Sequence, residues 1–240
     1  MINFVHINKL IFKVPFIMKN IKQILMIVAC TLATSTLFAQ NDWAGFNRYD
    51  ADNKALQTAP KVVFMGNSIT EGWWNNDPDF FKVNNYLGRG ISGQTSSQML
   101  VRFRTDVINL KPKAVVILAG TNDIAQNTGY IALENILGNI ISMAELAKAH
   151  KIKVYLCSVL PAYDFGWRKG LEPAPKIVKL NKMIKDYADK NKMTYVDYYS
   201  KLVDDRGGLP EKYSQDGVHP TLEGYKVMEN IISNALKSVK

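Results

Sequence analysis

AVVILAGTND, residues 114–123, runs through six apolar residues to a glycine and then three polar ones. A short run rich in Val and Ile, closed by a turn signal, reads as a strand covered on both faces. KVYLCSV (Lys153–Val159) repeats the pattern, and three further segments read as strands: KVVFMG (Lys61–Gly66), KVNNYLG (Lys82–Gly88) and TYVDY (Thr194–Tyr198). Helical periodicity lies between and beyond them, over Thr95–Asn109, Tyr130–Ala149, Ala174–Asn191 and Thr221–Leu236. Strands alternating with helices predict an α/β fold, a five-stranded parallel sheet sandwiched between helical layers. The 240 residues suffice for one such domain, and 47% apolar with 21% charged residues excludes a disordered chain. Repeats, low-complexity tracts and internal linkers are not evident.

The N-terminal region reads differently. From Met18 the sequence MKNIKQILMIVACTLATSTLFAQ places two lysines before an apolar run and then small residues ending at Ala39. That is the layout of a secretory signal peptide, with translation starting at Met18 or Met1. Its apolar run is short and diluted by Thr and Ser, unlike a stable membrane span of roughly 20 apolar residues. Residues 1–39 are therefore expected to be a targeting region and 40–240 the folded domain, secreted or periplasmic. The rival reading is a lipid anchor at Cys30, after IVAC; apolar sequence continuing past it favours cleavage near Ala39.

Residues 1–39 hold four lysines and no acids, so the formal charge of +9 becomes +5 without them. The remaining basic residues are interspersed with acids, whereas nucleic-acid binding calls for a clustered basic stripe. Cys157 is then the only cysteine, without a disulfide partner, in an apolar run that reads as core. Cys/His clusters with zinc spacing are lacking, so neither metal nor other cofactor is expected.

Folds of this class place their sites beyond the carboxyl ends of the strands. There the sequence offers GNSITEGWW, GRGISGQT, GTND, LPAYDFGWRKGLEPAP and, before the last helix, DGVHP. Of three histidines, His6 precedes the leader and His150 ends a helix between lysines. Only His219 has a carboxylate, Asp216, at close spacing. Asp216 could orient one ring nitrogen and leave the other for a nucleophile; alternatively it caps the final helix, for whose first turn Pro220 is suited. Ser68, two residues past a strand-ending glycine, is the candidate nucleophile, with helix capping as its bland alternative. Its surroundings, Gly66-Asn67-Ser68-Ile69-Thr70, lack the last glycine of the G-x-S-x-G elbow. Gly93 and Asn122 could meet an oxyanion or be ordinary turn residues.

Together GNSIT, GRGISGQTSSQML, GTND and DGVHP, in this order, resemble the successive blocks of the SGNH (GDSL-type) hydrolase family. The likeness runs from about Lys61 to the C-terminus, toward the branch of small acetylesterases related to platelet-activating-factor acetylhydrolases and carbohydrate esterases. It implies a flavodoxin-like three-layer fold, Ser68 as nucleophile, His219 as base and Asp216 as its orienting acid. The oxyanion hole it implies comprises the Ser68 and Gly93 N–H groups and the Asn122 side chain. One departure is Asn67, where the family's name has aspartate.

Gly88-Arg89-Gly90-Ile91-Ser92-Gly93 also fits the dinucleotide fingerprint G-x-G-x-x-G, but the acid needed after the next strand is replaced by Leu118, Ala119 and Gly120. The expected activity is metal-free hydrolysis of short-chain, chiefly O-acetyl, esters on small molecules or carbohydrates. Trp73, Trp74, Tyr163, Trp167 and Arg168 are candidates for contacting the sugar. The alternative is a carbohydrate-binding module of the same fold that has lost its chemistry.

Overall fold

Five strands, β1 (Val62–Gly66), β2 (Tyr86–Gly90), β3 (Ala114–Ile117), β4 (Lys153–Cys157) and β5 (Thr194–Val196), pair in the order β2-β1-β3-β4-β5, each pair parallel. The computed structural model describes residues 42–239; the leader-like segment and Cys30 lie outside the described residues. Strand order 2-1-3-4-5 is that of a flavodoxin-like, doubly wound sheet. In sequence order the helices are α1 (Asp50–Ala55), α2 (Ser68–Asn76), α3 (Pro78–Val83), α4 (Ser96–Asp106) and α5 (Thr121–Ile124), then α6 (Leu133–Ala149), α7 (Pro173–Lys190), α8 (Tyr199–Leu202) and α9 (Leu222–Leu236). Among the described residues no helix is long and apolar enough to cross a membrane.

Alternation along the strands divides the core. Val63, Met65, Val115 and Ile117 face one layer, packed with Met99 and Phe103 of α4, Ile140 of α6 and Ile184 of α7. Val62, Phe64 and Val116 face the other, against Ile69 and Trp73 of α2, Phe81 of α3 and Met228 of α9. Because both faces are covered, the strands read as unbroken apolar runs rather than as alternating ones. Each large side chain buried this way stabilises the fold by about 1.5–3 kcal/mol. Cys157 belongs to this core, and burial pushes its thiol up to about 12, far from reactivity.

One boundary differs from the sequence reading. Lys82 and Val83 end a helix rather than open a strand, because Asp77 caps the Phe80 N–H at 3.1 Å and Pro78 enters the first turn. The chain then turns through Asn85 at φ 53° before β2 begins at Tyr86. As an edge strand, β2 is shielded by the segment before β1: Asn53 accepts from Arg89 at 2.9 and 2.6 Å, and the Tyr49 hydroxyl donates to the Gly90 carbonyl.

Gly90 is required by close approach. A Cβ there would stand 2.6 Å from the Asn67 carbonyl oxygen and press on the Glu71 backbone nitrogen. Gly90→Ala is therefore expected to cost about 1–3 kcal/mol. At about 2–4 °C per kcal/mol for a domain of this size, calorimetry should record a lower Tm. An unchanged Tm would show that β2 and α2 are not pressed together.

Candidate active site

At the carboxyl edge of the sheet, β1 ends at Gly66 and α2 begins at once. Asn67 caps that helix, its side-chain oxygen accepting the Ile69 N–H at 3.1 Å, and is almost fully buried. Asparagine suits this post: an aspartate could accept the same bond but would bury a charge. With the cap assigned to Asn67, the Ser68 hydroxyl is not used in capping. The Ser68 and Gly93 N–H groups donate to no acceptor among the described residues.

The hydroxyl is partnered from the far end of the chain. His219 Nε2 lies 2.9 Å from Ser68 Oγ, and His219 Nδ1 lies 2.6 Å from Asp216 Oδ2. The other Asp216 oxygen accepts the Val218 and His219 N–H groups at 2.9 and 2.8 Å and the Ser214 hydroxyl at 3.1 Å. Partial burial pushes the Asp216 carboxyl up, but these N–H groups and the imidazole outweigh it, leaving the group lowered to about 2. Asp216 does not cap the last helix: Thr221 does, accepting from Gly224 N, so Pro220 sits before the cap and not in the first turn.

The loops after β2 and β3 complete this edge. Gly93 adopts φ +78°, a left-handed conformation natural to glycine. The Asn122 amide donates to the Gln94 carbonyl at 2.9 Å, keeping its second hydrogen, and Asn127 donates to the Gly93 carbonyl at 3.1 Å. Beneath them Arg102, fully buried, ties the loops together: it donates to the carbonyls of Gly66 and Arg89, each at 3.0 Å, and to the Gln94 side chain at 2.6 Å, and pairs with Asp106 at 2.8 Å. Burial pulls its guanidinium down, against the pull of Asp106. The glycine-rich loop thus serves close packing and turn geometry.

The aromatic candidates separate. Trp73 is a correction: it is 1% exposed, stacked on Phe80 and Tyr225, with its N–H on Glu229, so no substrate reaches it. Its position on the inner face of a short amphipathic helix made it core. Trp74 lies over Phe81 and lines a cavity of about 380 Å³ whose walls include neither Ser68 nor His219. Arg168 is engaged structurally, donating to the Ala125 carbonyl at 3.2 Å and to that of Gln126. Tyr163 is exposed beneath the Arg206 guanidinium and borders a cavity of about 240 Å³ that Asp216 also lines. Trp167 alone of the five adjoins His219: the ring centroids are 6.3 Å apart, and its N–H reaches Asn127 at 3.2 Å. Sequence reasoning missed Asn127, Arg102 and Glu71. The spacing Ser68-x-x-Glu71 was the one available signal, but it reads as a capping box, a pairing the fold does not make.

A doubly wound sheet with a hydroxyl, an imidazole and a carboxylate in line at its carboxyl edge is the arrangement of serine acyl hydrolases. Residues 64–227 match the GDSL-like Lipase/Acylhydrolase family, and the chain belongs to that family of esterases. A crystallised GDSL-like lipase from Bacteroides thetaiotaomicron VPI-5482 is 54% identical, covering 83% of this chain and 100% of its own, at TM-score 0.81. An acetylxylan esterase from Geobacillus stearothermophilus, 17% identical over 76% of this chain and 96% of its own at TM-score 0.61, shares the fold. The platelet-activating factor acetylhydrolase IB subunit alpha2 of Rattus norvegicus is 28% identical over 147 residues, 58% of each chain. The chain spans less than two thirds of the length of the first curated relatives it matches, from 33% for a Bacillus subtilis lipoprotein to that 58%.

Proposed function

We propose that this chain is a serine esterase that removes short acyl groups, chiefly acetyl, from carbohydrate esters. The observation that carries the reading is His219 between two partners, 2.6 Å from Asp216 and 2.9 Å from Ser68. His219 takes the Ser68 proton as the hydroxyl attacks the ester carbonyl, and Asp216 holds the ring in the tautomer that accepts it. The charge developing on the carbonyl oxygen is met by the N–H groups of Ser68 and Gly93 and by the second hydrogen of the Asn122 amide. The intermediate collapses, the departing alcohol takes the proton from His219, and water repeats the cycle to release the acid. Trp167, half exposed beside the imidazole, offers a flat apolar face for a sugar ring. The acetylxylan esterase sharing this fold agrees with a carbohydrate ester. Export is part of the proposal, on the leader-like segment Met18–Ala39, with the mature N-terminus readable by mass spectrometry.

Acetate release from acetylated xylan, pectin and sialoglycans, assayed in parallel, tests the substrate class. Strong preference for one polymer supports it, and equal slow release from all removes the carbohydrate. The rival, an idle binding module, predicts near-background hydrolysis of p-nitrophenyl acetate by both the wild type and Ser68→Ala. For the oxyanion assignment, Asn122→Ala is expected to lower kcat by about 10²–10³. Undiminished turnover in a folded Asn122→Ala protein would remove it.

A further inference from the structure

Glu71 stands three residues beyond Ser68, almost one turn along the same helix. We infer that Glu71 is a positioning residue, holding the Gly93 N–H at a fixed place relative to the Ser68 hydroxyl. The inference rests on the serine-esterase reading, in which that N–H stabilises the oxyanion. One Glu71 oxygen accepts the Ser92 backbone N–H at 2.9 Å and also the Ser92 hydroxyl. The other accepts from Arg48 at 2.9 Å. Ser92 immediately precedes Gly93, so the carboxylate grips the peptide next to the donating one.

Packing leaves Gly93 open on one side. Chain neighbours aside, no atom lies within 4 Å of where its Cβ would be, so on that side no packing contact holds it. Asn127 holds the Gly93 carbonyl, and Asn122 of α5 the next one, both from the segment after β3. Glu71 holds it from the nucleophile's own helix. Of the three it alone links the donor, through the neighbouring residue Ser92, to the helix that carries the attacking oxygen. The Glu71 side chain is only 19% exposed, and charge-assisted bonds with limited access to water are the stronger kind. Burial alone would raise its carboxyl; Ser92 and Arg48 outweigh it and keep the group lowered, hence charged at neutral pH.

The test is p-nitrophenyl acetate kinetics on the full chain, with melting temperatures for every variant. Glu71→Ala is expected to lower kcat by about 10- to 100-fold, the scale of misplacing a catalytic group by a fraction of an ångström to one ångström. KM should stay within about threefold, because a loss confined to the transition state appears in kcat. Glu71→Gln should recover most of the activity, since an amide oxygen can still accept from Ser92. Arg48→Ala removes a pairing exposed on its Arg48 side and a contact over the Tyr49 ring but leaves both Ser92 bonds to Glu71, and should remain within about twofold of wild type. Combining Glu71→Ala with Asn122→Ala should cost less than the product of the two losses, because both act on one oxyanion. Wild-type kcat in folded Glu71→Ala overturns the inference. So does a loss that Gln fails to rescue, one that Arg48→Ala reproduces, or a strictly multiplicative double variant. If Ser68→Ala matches the wild type instead, the esterase reading itself has failed, and the two failures are thereby told apart.

Discussion

Ser68→Ala is expected to lower kcat for p-nitrophenyl acetate by about 10⁵–10⁶-fold while leaving the fold intact. Losses of that size arise when the nucleophile of a cooperating set is removed, because the remaining groups have nothing to activate. The fold should survive because capping of α2 belongs to Asn67, whose bond to Ile69 N involves no atom of the Ser68 side chain. Ser68 is only partly buried, so losing its oxygen opens no core cavity. Circular dichroism and Tm close to wild type, together with lost turnover, would place the defect in chemistry. Turnover within about tenfold of wild type would leave Ser68 without the role given to it here.

Asp216→Asn should cost about 10⁴-fold in kcat and lower Tm at neutral pH without unfolding the domain, because the ionised carboxylate it removes is stabilised in the folded state. The two oxygens of Asp216 do separate work. Oδ1 receives the Val218 and His219 backbone N–H groups and Oδ2 faces the imidazole. An asparagine can keep its oxygen on the loop while its NH₂ faces His219 Nδ1. An NH₂ donates there, so the ring proton moves to Nε2, and the nitrogen facing Ser68 no longer accepts a proton. The pH dependence follows from the same contacts. With its carboxyl lowered to about 2, Asp216 is ionised in the folded protein throughout the neutral and mildly acidic range. Its folded value lies below the unfolded one, so the stability it contributes is complete above about pH 4. That contribution is lost only as pH falls toward 2. A loss of wild-type activity on acidification above pH 4 therefore has another origin than Asp216. An activity profile for Asp216→Asn that matches wild type in height and shape would contradict the orienting role.

Much of this architecture was legible in the residues. Runs such as AVVILAG and KVYLCSV are strands because Val, Ile and Leu on both faces leave no side open to water, and both lie in the middle of the sheet. The second strand was misplaced because Lys82 and Val83 have no apolar period that distinguishes a helix end from a strand start. The decision was made by Asp77 and Pro78, a capping pair whose effect reaches six residues forward. Candidate chemistry was visible as residue types at strand ends. Trp73 and Trp74 show the limit: adjacent in sequence, one is sealed in the core and the other faces a cavity. Which way each points depends on how α2 lies against β1 and α9, a matter of packing that a local pattern does not encode.

The order of strands and helices, the split of apolar residues between two faces and the pairing of Asp216 with His219 are short-range consequences of composition and spacing. They need only the periods of strand and helix and the reach of one side chain over three residues. The meeting of His219 with Ser68 across 151 positions is different in kind. So is the hold of Glu71 on Ser92, made where the end of β2 is pressed against the start of α2 at Gly90. Those distances are set by the parallel sheet, which brings the carboxyl ends of separated strands to one edge, and by the buried Arg102 that ties the loops there.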